Sequence, residues 1–307
     1  MERDTVYVLM STYNGDKYID EQIESILRQK RVNVHLFIRD DGSNDGTLMK
    51  LEQWAIHDNV TVLFGENIGY EKSFMELVLL VPEIKGYYAF ADQDDVWLED
   101  KLHSAISILK KYNKPAAYCT SHKYVDEELN EIKCFSVLDE LPYGEIISGN
   151  ALVKGIFGLG CTLVWNEELC SIIKREKYEQ FQYGHDNFVC VLASLVGVLY
   201  KDDRETILYR QHESNASGKK EKTKNVVHKL ERAYKNMNNN KSFELRKFIY
   251  DKFSGYMPID KKLDLLSTIE YRDNLRKRIH LLLKGLSKGL NNKMQMKYYV
   301  LVLLGKF

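Results

Sequence analysis

The stretch YYAFADQDDVW, residues 87 to 97, runs from an apolar strand pattern straight into three carboxylates, Asp92, Asp94 and Asp95. A short aromatic and alanine run closed by a polar turn reads as a strand buried on both faces, the kind found inside a parallel sheet. Acids at the end of such a strand sit at the mouth of the core, where charge is stable only if it is paired, hydrated or bound to a ligand. The same alternation repeats on either side. TVYVLM (5–10) precedes Ile19, Ile23, Ile26 and Leu27, which share one helical face. VHLFI (34–38) precedes Leu48, Leu51 and Trp54, and VTVLF (60–64) precedes Phe74, Leu77, Val78 and Val81. After 87–91 come Leu102, Ala105, Ile106 and Leu109, then AAYCTS (116–121). Strands alternating with helical periods predict an α/β fold with a mostly parallel central sheet.

Ligands of such sheets collect at the carboxyl ends of the strands, where loops are free and helix N-termini offer unpaired N–H groups. Three polar clusters fall there: STYNG (11–15), RDDGSNDGT (39–47) and DQDD (92–95). In the second, Asp45 stands where it could cap the helix TLMKLEQW, whereas Asp40 and Asp41 exceed what one cap needs and suggest hydrogen bonds to a ligand. In the third, Asp95 could cap a helix starting near Trp97. Asp92 and Asp94 lie two apart in an extended segment and point the same way. Their mutual repulsion calls for a cation, and oxygen-only ligands favour Mg²⁺ or Mn²⁺, commonly bridging carboxylates to substrate phosphates.

Composition narrows the field. The 307 residues carry 44 basic and 44 acidic side chains, yet from Lys219 onward there are 22 basic and 8 acidic ones, leaving an acidic body with a basic tail. Cys119, Cys134, Cys161, Cys170 and Cys190 are odd in number and form no C-x-x-C pair, which argues against a disulfide framework or a zinc site and for a reducing compartment. The N-terminal residues lack a signal-peptide apolar segment, and YYVLVLL (298–304) falls far short of the ~20 residues that span a bilayer. G-x-G-x-x-G after the first strand, the P-loop, H-E-x-x-H and G-x-S-x-G are absent, which removes dehydrogenase, kinase, metalloprotease and serine hydrolase readings.

STYNG, RDDGSNDGT and ADQDDVW are followed by GCT (160–162), GHDNF (184–188) and LYRQH (208–212). In that order, across roughly residues 5 to 215, the chain resembles family 2 glycosyltransferases, most closely their bacterial rhamnosyltransferase-like branch. The resemblance implies a GT-A fold, a nucleotide-diphosphate-sugar donor, a divalent cation (Mn²⁺ or Mg²⁺) and inversion at the anomeric carbon. It places Thr12, Tyr13 and Asn14 near the nucleoside, Asp41 on the base, Asp92 near ribose and metal, and Asp94 on the metal. Asp186 matches the catalytic base, a role that suits a carboxylate within reach of the acceptor hydroxyl; its other reading is a helix N-cap. His185 could orient that acid or contact the acceptor. Arg210 and His212 are either a strand-end surface pair or, by resemblance, groups approaching diphosphate and metal, with His212 as a metal ligand; Thr162 falls with the diphosphate or acceptor groups. L-rhamnose from dTDP-rhamnose leads the donors by resemblance alone. The alternatives are a sugar nucleotidyltransferase and a non-catalytic nucleotide-sugar-binding protein.

The domain division that follows is a GT-A domain over 1–218 and a basic, mainly helical extension over 219–307, with a break at ASGKKEKTK (216–224). The extension reads either as solvated helix faces or as amphipathic helices, including LRKRIHLLLKGL, in peripheral contact with an anionic membrane. The acceptor is then a polysaccharide or lipid-linked oligosaccharide, and the enzyme works in the cytoplasm at the inner face of the cell membrane. No nucleic-acid reader module is present, so nucleic acid is not an expected partner.

Overall fold

The computed structural model describes residues 3–83, 85–134, 137–179, 181–213 and 240–307; the expected break near Gly218 lies outside them. The first part alternates as the periodicity requires: β1 (Asp4–Thr12), α1 (Ile19–Leu27), β2 (Val32–Asp40), α2 (Thr47–Trp54), β3 (Val60–Phe64), α3 (Tyr70–Leu80) and β4 (Tyr87–Ala91). After a short β5 (Val96–Trp97) come α4 (Lys101–Leu109), β6 (Ala116–Val125), β7 (Gly144–Glu145), α5 (Ser148–Lys154), β8 (Val164–Asn166), α6 (Glu167–Ile173), α7 (His185–Val196) and β9 (Val198–Arg210). The sheet order is β3-β2-β1-β4-β8-β6-β9-β5, with β7 beside β9. β1 is parallel to β2 and β4, and β2 to β3, whereas β8 runs antiparallel to both β4 and β6, so the sheet is mixed.

Period-two alternation explains why the fold-deciding strand carries no polar face. Val6, Val8 and Met10 of β1 and Ala89 and Ala91 of β4 point into the cluster covered by α1 and α4. Tyr7 and Leu9, with Tyr88 and Phe90, point into the one covered by α3 and α7. Because β2, β1 and β4 are neighbours, with Thr12 beside Asp40 and Met10 beside Ala91, their three polar clusters leave the sheet side by side.

Four helices follow: α8 (Lys241–Phe253), α9 (Ile259–Glu270), α10 (Leu275–Leu283) and α11 (Asn292–Leu303). Their inner residues Ile249, Phe253, Leu265, Leu281, Tyr298 and Val302 are buried in the same cluster as α3 and α7. Lys261 Nζ donates to the carbonyls of Ser194 (2.6 Å) and Gly197 (3.0 Å), and a Cβ on Gly149 would lie 2.6 Å from the carbonyl oxygen of Leu286. These helices are thus packed on the sheet domain rather than tethered to it. Gly197 itself permits the turn from α7 into β9, since a Cβ there would lie 1.8 Å from the Pro115 carbonyl oxygen. Gly197→Ala should cost about 3 kcal/mol, read as a drop of roughly 6 °C in a thermal melt.

Candidate active site

The three strand-end clusters open into one cleft of about 490 Å³. Ser11, Thr12 and Tyr13 form its wall at β1, Asp92, Gln93 and Asp94 its wall at β4, and His185 and Asp186 enter from the start of α7. Tyr70 and Phe74 of α3, Gly160 and Tyr209 also line it. Asp92, Asp94 and Asp186 therefore face a common space.

Gln93, which the sequence did not single out, ties two walls together. Its Oε1 accepts from Thr12 Oγ1 (2.6 Å) and Tyr13 N (2.8 Å), and its Nε2 donates to the Tyr13 carbonyl (3.1 Å). Asn14 does not line the cleft; it braces the neighbouring loop, accepting from Asn44 N (2.9 Å) while its own N–H reaches Ser43 Oγ (2.8 Å). Asp40 is also turned inward, where it accepts from Gly42 N, Ser43 N and Ser43 Oγ, so the loop's own backbone uses the acid expected for a ligand. Asp41 does reach the cleft, held by Arg39 Nη1 at 2.5 Å and by the N–H groups of Ile68 and Gly69, both at 2.9 Å. Arg39, buried and also bonded to Glu76 Oε2 at 2.7 Å, is the second residue that local sequence did not reveal.

At the DQDD turn, His212 Nε2 lies 2.8 Å from Asp94 Oδ2, with its ring against Tyr18. Burial and the neighbouring Asp94 charge push the Asp92 carboxyl up to about 7. Asp92 and Asp94 both line the cleft and His212 stands against Asp94, oxygen donors with an imidazole beside them, which is chemistry compatible with Mn²⁺ or Mg²⁺. Asp95 caps no helix, because α4 begins only at Lys101; it is wholly buried and accepts from Arg210 N at 3.1 Å. Behind Asp92, donor atoms of Asp92, Asp95 and Cys161 lie within 4.8 Å of one another, and buried Lys101 stands over the Trp97 ring at 4.0 Å.

Arg210 is placed differently from its expectation as a diphosphate group. Its guanidinium is buried beneath the acidic turn, where Nε donates to the Asp94 carbonyl (2.9 Å), Nη1 to the Glu127 carbonyl and Nη2 to Glu21, with Tyr18 stacked against it. It supports the turn from inside. Arg210→Lys keeps a charge but loses the planar fork, and should cost about 2–3 kcal/mol of stability with weaker divalent-metal binding, measured by thermal melt and Mn²⁺ titration. Thr162 is likewise wholly buried, donating to the Leu159 carbonyl at 2.8 Å, and takes no part in the cleft lining.

Asp186 occupies the second position of α7, whose N-cap is Gly184, so it is not the cap. It opens into the cleft at the positive end of the helix, and burial nevertheless pushes its carboxyl up to about 6. His185 does not orient it. Its ring stacks on Phe74 at 4.1 Å and meets Phe90 edge-on at 4.8 Å, burial pushes its pKa down to about 3, and both ring nitrogens lack a hydrogen-bond partner. The imidazole is thus a buried, neutral ring packed between Phe74 and Phe90 at the cleft wall.

The model of glycosyl transferase family 2 matches residues 7–158. The dTDP-rhamnosyl transferase RfbG of Shigella flexneri is 31% identical over 227 residues, 68% of this chain and 73% of the relative. The chain belongs to glycosyl transferase family 2. The UDP-Glc:alpha-D-GlcNAc-diphosphoundecaprenol beta-1,3-glucosyltransferase WfgD of Escherichia coli is 28% identical over 52% of this chain and 58% of its own length. Among solved structures, S. aureus TarS in complex with UDP superposes with TM-score 0.56 at 16% identity, covering 98% of this chain and 90% of that one. The mannosyltransferase PcManGT of Pyrobaculum calidifontis, solved with GDP-Man and Mn²⁺, gives TM-score 0.50 at 14% identity, covering 100% and 88%. The fold is GT-A, and this family 2 chain is a glycosyltransferase. Its membership sets aside the nucleotidyltransferase and non-catalytic alternatives.

Proposed function

We propose that this family 2 enzyme moves a sugar from a nucleotide-diphosphate donor to a saccharide or lipid-linked acceptor by direct displacement, with inversion and with Asp186 as base. The observation that carries the reading is that Asp186, Asp92 and Asp94 share one cleft with the β1 wall and Asp41. L-rhamnose from dTDP-rhamnose is the first candidate, supported by the RfbG relative, and the UDP and GDP-Man complexes of TarS and PcManGT support a nucleotide in the cleft.

Asp41, fixed by Arg39, offers an acceptor to an N–H of the base, and Thr12 and Tyr13 form the nucleoside wall. Asp92 and Asp94, with His212 behind Asp94, would hold Mn²⁺ or Mg²⁺, which supplies positive charge for the diphosphate as it leaves. The acceptor hydroxyl hydrogen-bonds Asp186; its oxygen attacks the anomeric carbon from the face opposite the diphosphate while the proton passes to the carboxylate. A new C–O bond forms, the C–O bond to the diphosphate breaks, and its electron pair leaves with the nucleotide.

The test is nucleoside-diphosphate release from a panel of nucleotide-sugars with Mn²⁺ and candidate acceptors. Release from dTDP-rhamnose above the other donors is the expected result. Release from none of them would refute the transfer reading, and preferential release from another sugar would refute the rhamnosyl assignment alone.

A further inference from the structure

The helices α10 and α11 each carry two apolar faces, and only one of each is buried. Leu281 of α10 and Tyr298 and Val302 of α11 are in the core. On the outer side, Leu275, Ile279 and Leu283 recur every fourth residue along α10, and Met296, Val300 and Leu303 form a matching stripe on α11. These six side chains are 46% to 81% exposed. Arg278 Nη1 donates to the Leu303 carbonyl at 2.8 Å, which joins the two helices. Single exposed leucines need no explanation, but two helical stripes of them on linked neighbours do.

Charge identifies the occupant. From Leu275 to Phe307 the chain has eight Lys or Arg and no Asp or Glu, and Arg276, Lys293 and Lys297 stand exposed among the apolar residues. A second copy of the same face would set these cations against their like with no carboxylate to answer them. An anionic bilayer provides both missing parts, an apolar layer a few ångströms deep and a diffuse negative surface. No helix among the described residues is long and apolar enough to cross a membrane, and an apolar stripe flanked by exposed cations suits in-plane seating.

We propose that the outer face of α10 and α11 seats this enzyme on anionic lipid, with Leu275, Ile279, Leu283, Met296, Val300 and Leu303 entering the headgroup boundary and Arg276, Lys293 and Lys297 facing the lipid phosphates. The surface stands on its own residues; it rests on the transferase reading only in bringing the cleft to a lipid-linked acceptor. Co-flotation of the full chain with vesicles of phosphatidylcholine, with and without phosphatidylglycerol, tests it, with donor nucleotide release measured separately on the same samples. Binding should require phosphatidylglycerol and weaken with salt. R276Q/K293Q/K297Q should lower partitioning about a hundredfold, from roughly 1 kcal/mol per charge near the surface. L275S/I279S/L283S should lower it at least about tenfold, as apolar area leaves the interface. Both variants should keep the wild-type melting temperature, because the substituted side chains are exposed. Equal binding to pure phosphatidylcholine, no binding to either vesicle, or unchanged binding by either variant would overturn the proposal. So would self-association in sedimentation that the leucine variant abolishes while vesicles bind nothing, which would make the face a contact between copies. Nucleotide release that fails while flotation succeeds would count against the transferase reading alone.

Discussion

Asp186→Asn is expected to lower sugar transfer about a thousandfold while nucleotide and Mn²⁺ affinities stay within about twofold of wild type. The amide keeps the size and much of the hydrogen bonding of the carboxylate but cannot take the acceptor proton. Because Asp186 sits in the second position of α7, beyond the cap, its removal leaves the helix start intact, so the loss is chemical rather than structural. The pH profile adds a second reading of the same residue. Burial pushes the Asp186 carboxyl up to about 6, and a base must be ionised, so transfer should rise as pH passes upward through about 6 and then level off. An acid in that role would give the opposite slope. In the Asn variant the residual rate should lose this limb, and a variant that kept both the rate and the limb would remove Asp186 from the mechanism.

The second large effect concerns the DQDD turn. Chelation should abolish transfer and added Mn²⁺ or Mg²⁺ should restore it, and Asp94→Asn should weaken Mn²⁺ binding by about a hundredfold or more. The substitution removes an anionic oxygen donor and exchanges the partner of His212, which lies 2.8 Å away, for a neutral amide. Asp92→Asn should have a smaller effect on metal-free stability than its burial suggests, since the carboxyl already sits near 7 through burial and the Asp94 charge. Transfer that survives exhaustive chelation at the wild-type rate would separate this enzyme from the cation assignment.

Much of this site was legible because a strand has period two and a parallel sheet ends at one edge. Those facts alone bring Thr12, Asp41, Asp92 and Asp94 to one place. What the sequence could not show is which acids the protein uses for itself. Asp40 and Asp41 are adjacent and chemically identical, yet Asp40 closes its own turn while Asp41 reaches the cleft, a difference set by Gly42 and Ser43 and by Arg39 two residues back on the same strand. Arg210 looked available because its partners, the Asp94 and Glu127 carbonyls and Glu21, are remote in sequence and meet it only through the pairing of β9 with β5 and β6. Gln93 stands between two more conspicuous aspartates, and nothing local marks its amide as the bridge between the loops after β1 and β4. In the helical extension the apolar periodicity was plain, but helices α10 and α11 have apolar residues on opposite sides, and only packing decides which side is core.

The most direct measurement is an anomalous-scattering crystal structure of the protein with Mn²⁺ and a nucleoside diphosphate. The expected map has a manganese peak held by the Asp94 carboxylate beside the diphosphate, with the base near Asp41 and the Asp186 carboxylate facing the same cleft. Manganese bound elsewhere, or a nucleotide seated outside that cleft, would contradict it.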